Sequence, residues 1–128
     1  MTATFNHTIV ASRDAAASAA FYRGLLEADE APSWGPFVNI TLDGGVLFQF
    51  AALPEDAYPA IQPQHYAFLA DDELFDRAVQ RIRAEGRDHW ADPQRSRPGE
   101  TNTEHGGRGV YLLDPAGHYL ELTTAPYL

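Results

Sequence analysis

The chain is predicted to be an α+β fold, made from one strand, helix and hairpin unit written twice. Three observations predict it. A short alternating strand carrying a histidine opens each half, His7 in Phe5-Asn6-His7-Thr8-Ile9-Val10 and His65 in Pro63-Gln64-His65-Tyr66-Ala67-Phe68. An acidic helix start follows each strand, and a glycine-containing hairpin comes later in each half. Overlaying Gly45-Val46-Leu47-Phe48-Gln49-Phe50 on Gly117-His118-Tyr119-Leu120-Glu121-Leu122 sets Gln49 against Glu121. A chain of 128 residues is one domain's worth. Module one is expected at about residues 1–53, a linker at 54–62, and module two at about 63–128.

The elements follow in order. Phe5 to Ala11 alternates as a strand, and Asp14 caps a helix through about Leu26 that sets Ala17, Phe21 and Leu25 on one face. Pro32 and Gly35 close that segment. Phe37 to Leu42 and Val46 to Ala52 flank Asp43-Gly44-Gly45, a strong hairpin signal. Pro54 to Pro63 reads as the linker. In the second copy, Asp71 caps a helix that aligns Leu74, Ala78 and Ile82 and ends at Gly86. A strand near Trp90 precedes a last hairpin, Gly109 to Asp114 and His118 to Thr124, turned by Pro115-Ala116-Gly117. His65 follows His7 by 58 positions and Glu121 follows Gln49 by 72, so the second copy carries 14 extra residues. They fall at about Arg95 to Gly107, a polar, Gly-rich run suited to a loop over a site mouth.

Composition narrows the function. No cysteine means no disulfide, thiolate metal site or Cys nucleophile, so any metal must use N and O ligands. A formal charge of −9, with nine scattered basic residues that are all Arg, argues against nucleic acid and anionic membranes as partners. No stretch approaches the ~20 apolar residues that span a bilayer, and the expected location is the cytoplasm. No Gly-rich dinucleotide fingerprint appears, so no bound nucleotide is expected.

Strand alternation sets Tyr119, Glu121 and Thr123 on one face of the last hairpin and Leu120 and Leu122 on the other. A carboxylate held on a sheet face needs a proton, cation or metal. Two neutral imidazoles, His7 and His65, with Glu121 form a divalent transition-metal ligand set that leaves positions open for substrate or oxygen. Gln49 is a weak donor, better suited to hydrogen-bonding the substrate or a ligand. Tyr111, across the hairpin from Glu121, either hydrogen-bonds an oxygenated substrate or is a packed aromatic. His105, in the long loop, is an acid or base if functional and solvated otherwise. Asn39 faces the cavity only if the Asp43-Gly44-Gly45 turn uses three residues. Phe37 and Trp90 either wall a flat ring or pack in the core. His89 and His118 are expected at the surface.

Two strand–helix–hairpin units, a His on each first strand and the Asp114-Pro115-Ala116-Gly117-His118-Tyr119-Leu120-Glu121 run together resemble the vicinal oxygen chelate superfamily of glyoxalase I, extradiol dioxygenases and bleomycin-resistance proteins. His65-Tyr66-Ala67-Phe68, Trp90-Ala91-Asp92-Pro93 and Pro98-Gly99-Glu100 through Tyr111 resemble the subgroup around the chartreusin-pathway dioxygenase. The resemblance implies two βαβββ modules forming a cupped mixed sheet around a metal, with His7, His65 and Glu121 as ligands and a homodimer as the expected assembly. Tyr111, ten residues before Glu121, matches the extradiol tyrosine, whereas no histidine stands shortly before His65. Gln49 replaces the glyoxalase carboxylate that acts as a base. The expected function is a metal-dependent dioxygenase cleaving or rearranging an aromatic polyketide or polyphenol, with catalytic Tyr111, Gln49 and His105, and with Asn39, Phe37 and Trp90 at the substrate. Fe(II) is the expected metal, ahead of Mn, Ni and Zn. The alternatives are a glyoxalase-like isomerase or lyase, separated by oxygen consumption, and a drug-binding resistance protein, which would work without metal.

Overall fold

The computed structural model describes all 128 residues, Met1–Leu128, as two compact units, Met1–Ile61 and Gln62–Leu128. Unit 1 runs β1 (His7–Ser12), α1 (Ala15–Leu26), β2 (Asp29–Glu30), β3 (Phe37–Leu42) and β4 (Val46–Ala52). Unit 2 runs β5 (His65–Leu69), α2 (Asp72–Ala84), β6 (His89–Trp90), β7 (Gly109–Leu113) and β8 (Tyr119–Thr123). Each is a βαβββ module with a four-stranded mixed sheet, ordered β1-β4-β3-β2 in unit 1 and β5-β8-β7-β6 in unit 2. The first strand lies parallel to the last in both, and the remaining pairs are antiparallel.

The registers coincide as well. His7 pairs with Leu47 and Asn39 with Gln49; His65 pairs with Tyr119 and Tyr111 with Glu121. Turn chemistry fixes this. Leu42 pairs with Val46 across three turn residues, where Gly44 and Gly45 take φ of 86° and 76° and the Gly45 amide donates to the Leu42 carbonyl at 3.1 Å. A turn of three residues sets Asn39 on the same face as Gln49.

Helix starts follow the capping rule: Asp14 accepts from the Ala17 amide at 3.0 Å, and Asp71 from the Leu74 amide at 2.7 Å. The helix faces differ from the expected stripes. Alpha helix α1 buries Ala15, Ser18, Ala19, Tyr22, Leu25 and Leu26, leaving Ala17 exposed and Phe21 half-buried. Tyr22, 4.8 Å from the Phe50 ring, sets that face, because the largest side chain gains most from burial. In α2 the buried residues are Phe75, Ala78, Val79 and Ile82, with Leu74 half-buried. The unit 2 sheet buries Val110, Leu112, Leu120 and Leu122, and its opposite face is left for the polar residues described below.

Candidate metal and substrate site

Burial and charge concentrate on the β5, β7 and β8 face of unit 2. Glu121 is only 3% exposed, so its carboxylate needs partners. Parallel pairing of β5 with β8 supplies the first, bringing His65 Nε2 to 3.2 Å from Glu121 Oε1. The Tyr127 hydroxyl donates to Glu121 Oε2 and supplies the second. The Tyr111 ring lies 6.3 Å from that of His65, and its hydroxyl bonds to Tyr127 and Glu121. Burial, then the bond to Tyr127, then the Glu121 charge, all raise the Tyr111 pKa, so its phenol is held as a proton donor. Burial, followed by the Glu121 bond, raises Tyr127 as well.

The pair fits a metal. Two donors each ~2.1 Å from one ion and at right angles to each other would lie ~3 Å apart, close to the His65–Glu121 spacing. The His65 side chain is 47% exposed and therefore reachable. Neither unit by itself assembles three His, Cys, Asp or Glu residues able to hold an ion. His7, in unit 1, is exposed, and Asn6 Oδ1 lies 2.7 Å from its Nδ1. Donation from Nδ1 to that oxygen leaves the Nε2 lone pair available.

A cavity of about 300 Å³ opens on the same face, lined by His65, Trp90, Arg95, Tyr111 and Tyr119 among others. That volume is at the lower end of small-molecule pockets. Trp90 pairs with Tyr111 in the ladder, which aims its indole at this space. In unit 1, Asn39 and Gln49 are buried side by side. The Asn39 amide nitrogen donates to the Pro32 carbonyl at 2.9 Å, and its Oδ1 has no partner. Phe37 is half-buried at the start of β3.

The long loop is pinned at several points. Asp92 accepts from the Ser96 and Arg97 amides and the Ser96 hydroxyl, and the buried Asn102 donates to the Ala91 carbonyl at 2.6 Å. A methyl group on Gly109 would come within 2.9 Å of Asn102, so glycine is required for that approach. The loop is exposed at 95–96, 98–100 and 103–106, and His105 in the last of these stretches stacks on Tyr127 at 4.4 Å. His105 is not among the residues lining the cavity. His89 and His118 are buried, against expectation: His118 Nδ1 accepts from the Gln64 amide at 2.9 Å, and His89 Nδ1 bonds to the Arg87 carbonyl. Sequence reasoning missed Tyr127, Arg95 and Tyr119 as site residues. An aromatic six positions past the ligand candidate was the available signal for Tyr127. Nothing local pointed to Arg95.

Residues 4–122 match the Glyoxalase/Bleomycin resistance protein/Dioxygenase superfamily, and the chain belongs to it. Among solved structures it is similar to the oxidase ChaP-H2, at 46% identity and a TM-score of 0.91 over 99% of this chain and 97% of that one. It is likewise similar to the oxidase ChaP-H1, at 47% identity and a TM-score of 0.89 over 98% of each. A glyoxalase/dioxygenase from Nostoc punctiforme is 27% identical, with a TM-score of 0.71 over 96% of this chain and 91% of that one. Among curated proteins, none matches the chain.

Proposed function

We propose that the protein is a metal-dependent dioxygenase that oxidatively cleaves or rearranges an aromatic polyketide or polyphenol. The observation that carries this reading is the His65–Glu121 pair, 3.2 Å apart beside a cavity walled by Trp90 and Tyr111. Full-length similarity to two oxidases at 46% and 47% identity supports an oxidoreductase. His7 is the third ligand, Fe(II) the metal, and the working form a cytoplasmic homodimer.

When bound, the metal supplies Lewis-acid polarisation of substrate oxygens and a place for oxygen chemistry. The chain's own residues do the rest. Trp90 holds the ring, and Tyr111, kept protonated by burial, donates a hydrogen bond to oxyanion character developing on the substrate. Gln49 and Asn39 present neutral amides, and Phe37 an apolar wall, to the substrate. His105, stacked on Tyr127, serves as the acid or base at the edge of the site. Purified protein should hold about one divalent ion per chain and consume oxygen with polyphenols. Metal-dependent isomerisation of a substrate without oxygen uptake would overturn the dioxygenase reading.

A further inference from the structure

Arg95 is the one cation among the residues lining the cavity. Its backbone is left-handed, with φ of 60°, a conformation that costs a residue with a Cβ roughly 1 kcal/mol and persists where its surroundings enforce it. The enforcement is visible: the Arg95 amide donates to the Asp92 carbonyl at 3.1 Å, and the Asp92 carboxylate grips the next two amides. From this turn the side chain reaches the Trp90 and Tyr119 walls of the cavity. Its guanidinium carbon stands 5.7 Å from the Trp90 ring centroid and 5.8 Å from that of Tyr119, within cation–π range of both. The neighbouring arginines are neutralised, Arg87 by Glu85, Arg97 by Glu104 and Arg108 by Asp72 and Asp76. Arg95 belongs to none of these ion pairs.

We propose that Arg95 is a specificity residue selecting aromatic ligands that carry an oxyanion, a carboxylate or an ionised phenol, and orienting that oxyanion away from the metal-binding pair while the ring lies against Trp90. The inference rests on the cavity being the substrate's seat. A chain of net charge −9 repels anions at long range, so a local unpaired guanidinium is what makes an acidic aromatic acceptable here. Guanidinium geometry suits carboxylate and phenolate oxygens alike, and its aromatic platform limits the motion lost on binding.

The test is equilibrium binding by calorimetry to the full-length protein, with and without added Mn(II), under anaerobic conditions. In the carboxylate arm, 1-naphthoate is compared with the isosteric 1-naphthamide; in the phenolate arm, 1-naphthol is compared below and above its ionisation. Wild type should prefer the anion in at least one arm by about tenfold, the worth of one charge-assisted hydrogen bond. Arg95→Gln should remove that preference while leaving neutral-probe affinity and melting temperature unchanged, and Arg95→Lys should restore part of it. The preference should also shrink as salt rises, because the group is exposed. No preference in either arm, or equal weakening of anion and neutral probe in Arg95→Gln, overturns the proposal. Oxygen uptake plays no part in this measurement, so failure of the dioxygenase reading registers separately.

Discussion

The two units share element order, sheet order and ladder register, yet only unit 2 carries a buried acid. At matched positions unit 1 has Gln49 and Asn39 where unit 2 has Glu121 and Tyr111. Around Glu121 the chain adds an imidazole and a second phenol, and next to it a cavity with an unpaired guanidinium. Around Gln49 there is no equivalent investment, and the Asn39 Oδ1 is left without a partner. The lesson is physical. A duplicated backbone gives two equivalent addresses, and changing an amide to a carboxylate at one of them creates a demand that neighbouring residues must satisfy. Chemistry gathers where that demand is.

The largest expected effect is at that address. Glu121→Ala should abolish stoichiometric metal and lower oxygen-dependent turnover by at least ~10³-fold, whereas Gln49→Ala should keep the metal and lose about 10-fold to 100-fold, as expected of a group acting through substrate or ligand orientation. Metal analysis after dialysis against a weak chelator, with His65→Ala in parallel, decides it. Equal metal in wild type and Glu121→Ala would remove the asymmetry between the units. Tyr111→Phe comes next: metal content should hold while turnover falls by about 10²-fold, as for loss of a positioned proton donor. A Tyr111→Phe enzyme as fast as wild type would leave Tyr111 as packing alone.

Making unit 1 resemble unit 2 sharpens the comparison from the other side. Gln49→Glu places a carboxylate where the residue is 4% exposed, and without metal it should destabilise the fold by about 1–3 kcal/mol. The folded-state pKa of that new acid would be raised, so the penalty should be small at pH 4 and grow as pH rises. Added divalent metal should recover the loss and bind more tightly than to wild type. A melting temperature independent of both pH and metal would show that Gln49 is remote from the ion.

The scaffold was legible in the sequence where local chemistry dominates. Asp14 and Asp71 announced the helix starts, and Asp43-Gly44-Gly45 and Pro115-Ala116-Gly117 marked two hairpins, whereas the face of Asn39 waited on the turn length that the Leu42–Val46 pairing shows. The α1 face was misjudged because alanines at 15, 16, 17, 19 and 20 carry almost no periodic signal, leaving Tyr22 to decide. His118 looked exposed because its partner, the Gln64 amide, is 54 positions away. Arg95 and Tyr127 were missed for the same reason. Their contacts are made between loop, tail and strand, and no pattern along the chain encodes them.

The smallest expected effect concerns the loop that only unit 2 possesses. Asp92 has its pKa lowered, first by the Ser96 hydroxyl bond and then by the Ser96 and Arg97 amides, against an opposing effect of burial. A depressed folded-state pKa means the stabilisation is present above the ordinary carboxylate value near 3.8 and fades as pH falls through the lower folded value. The Ser96 and Arg97 amides should therefore stay protected from hydrogen exchange down to about pH 4 and open below it, ahead of the Leu120 and Leu122 amides in the sheet. Asp92→Asn should open them at every pH while leaving metal content intact, since the carboxylate touches neither His65 nor Glu121. Because this grip also sets the backbone of Arg95, the same variant should weaken any preference for anionic aromatics. Protection at Ser96 and Arg97 that is indifferent to both pH and Asp92→Asn would mean the backbone bonds of Ala91 to Arg97 and Gly99 to His89 suffice to hold the loop.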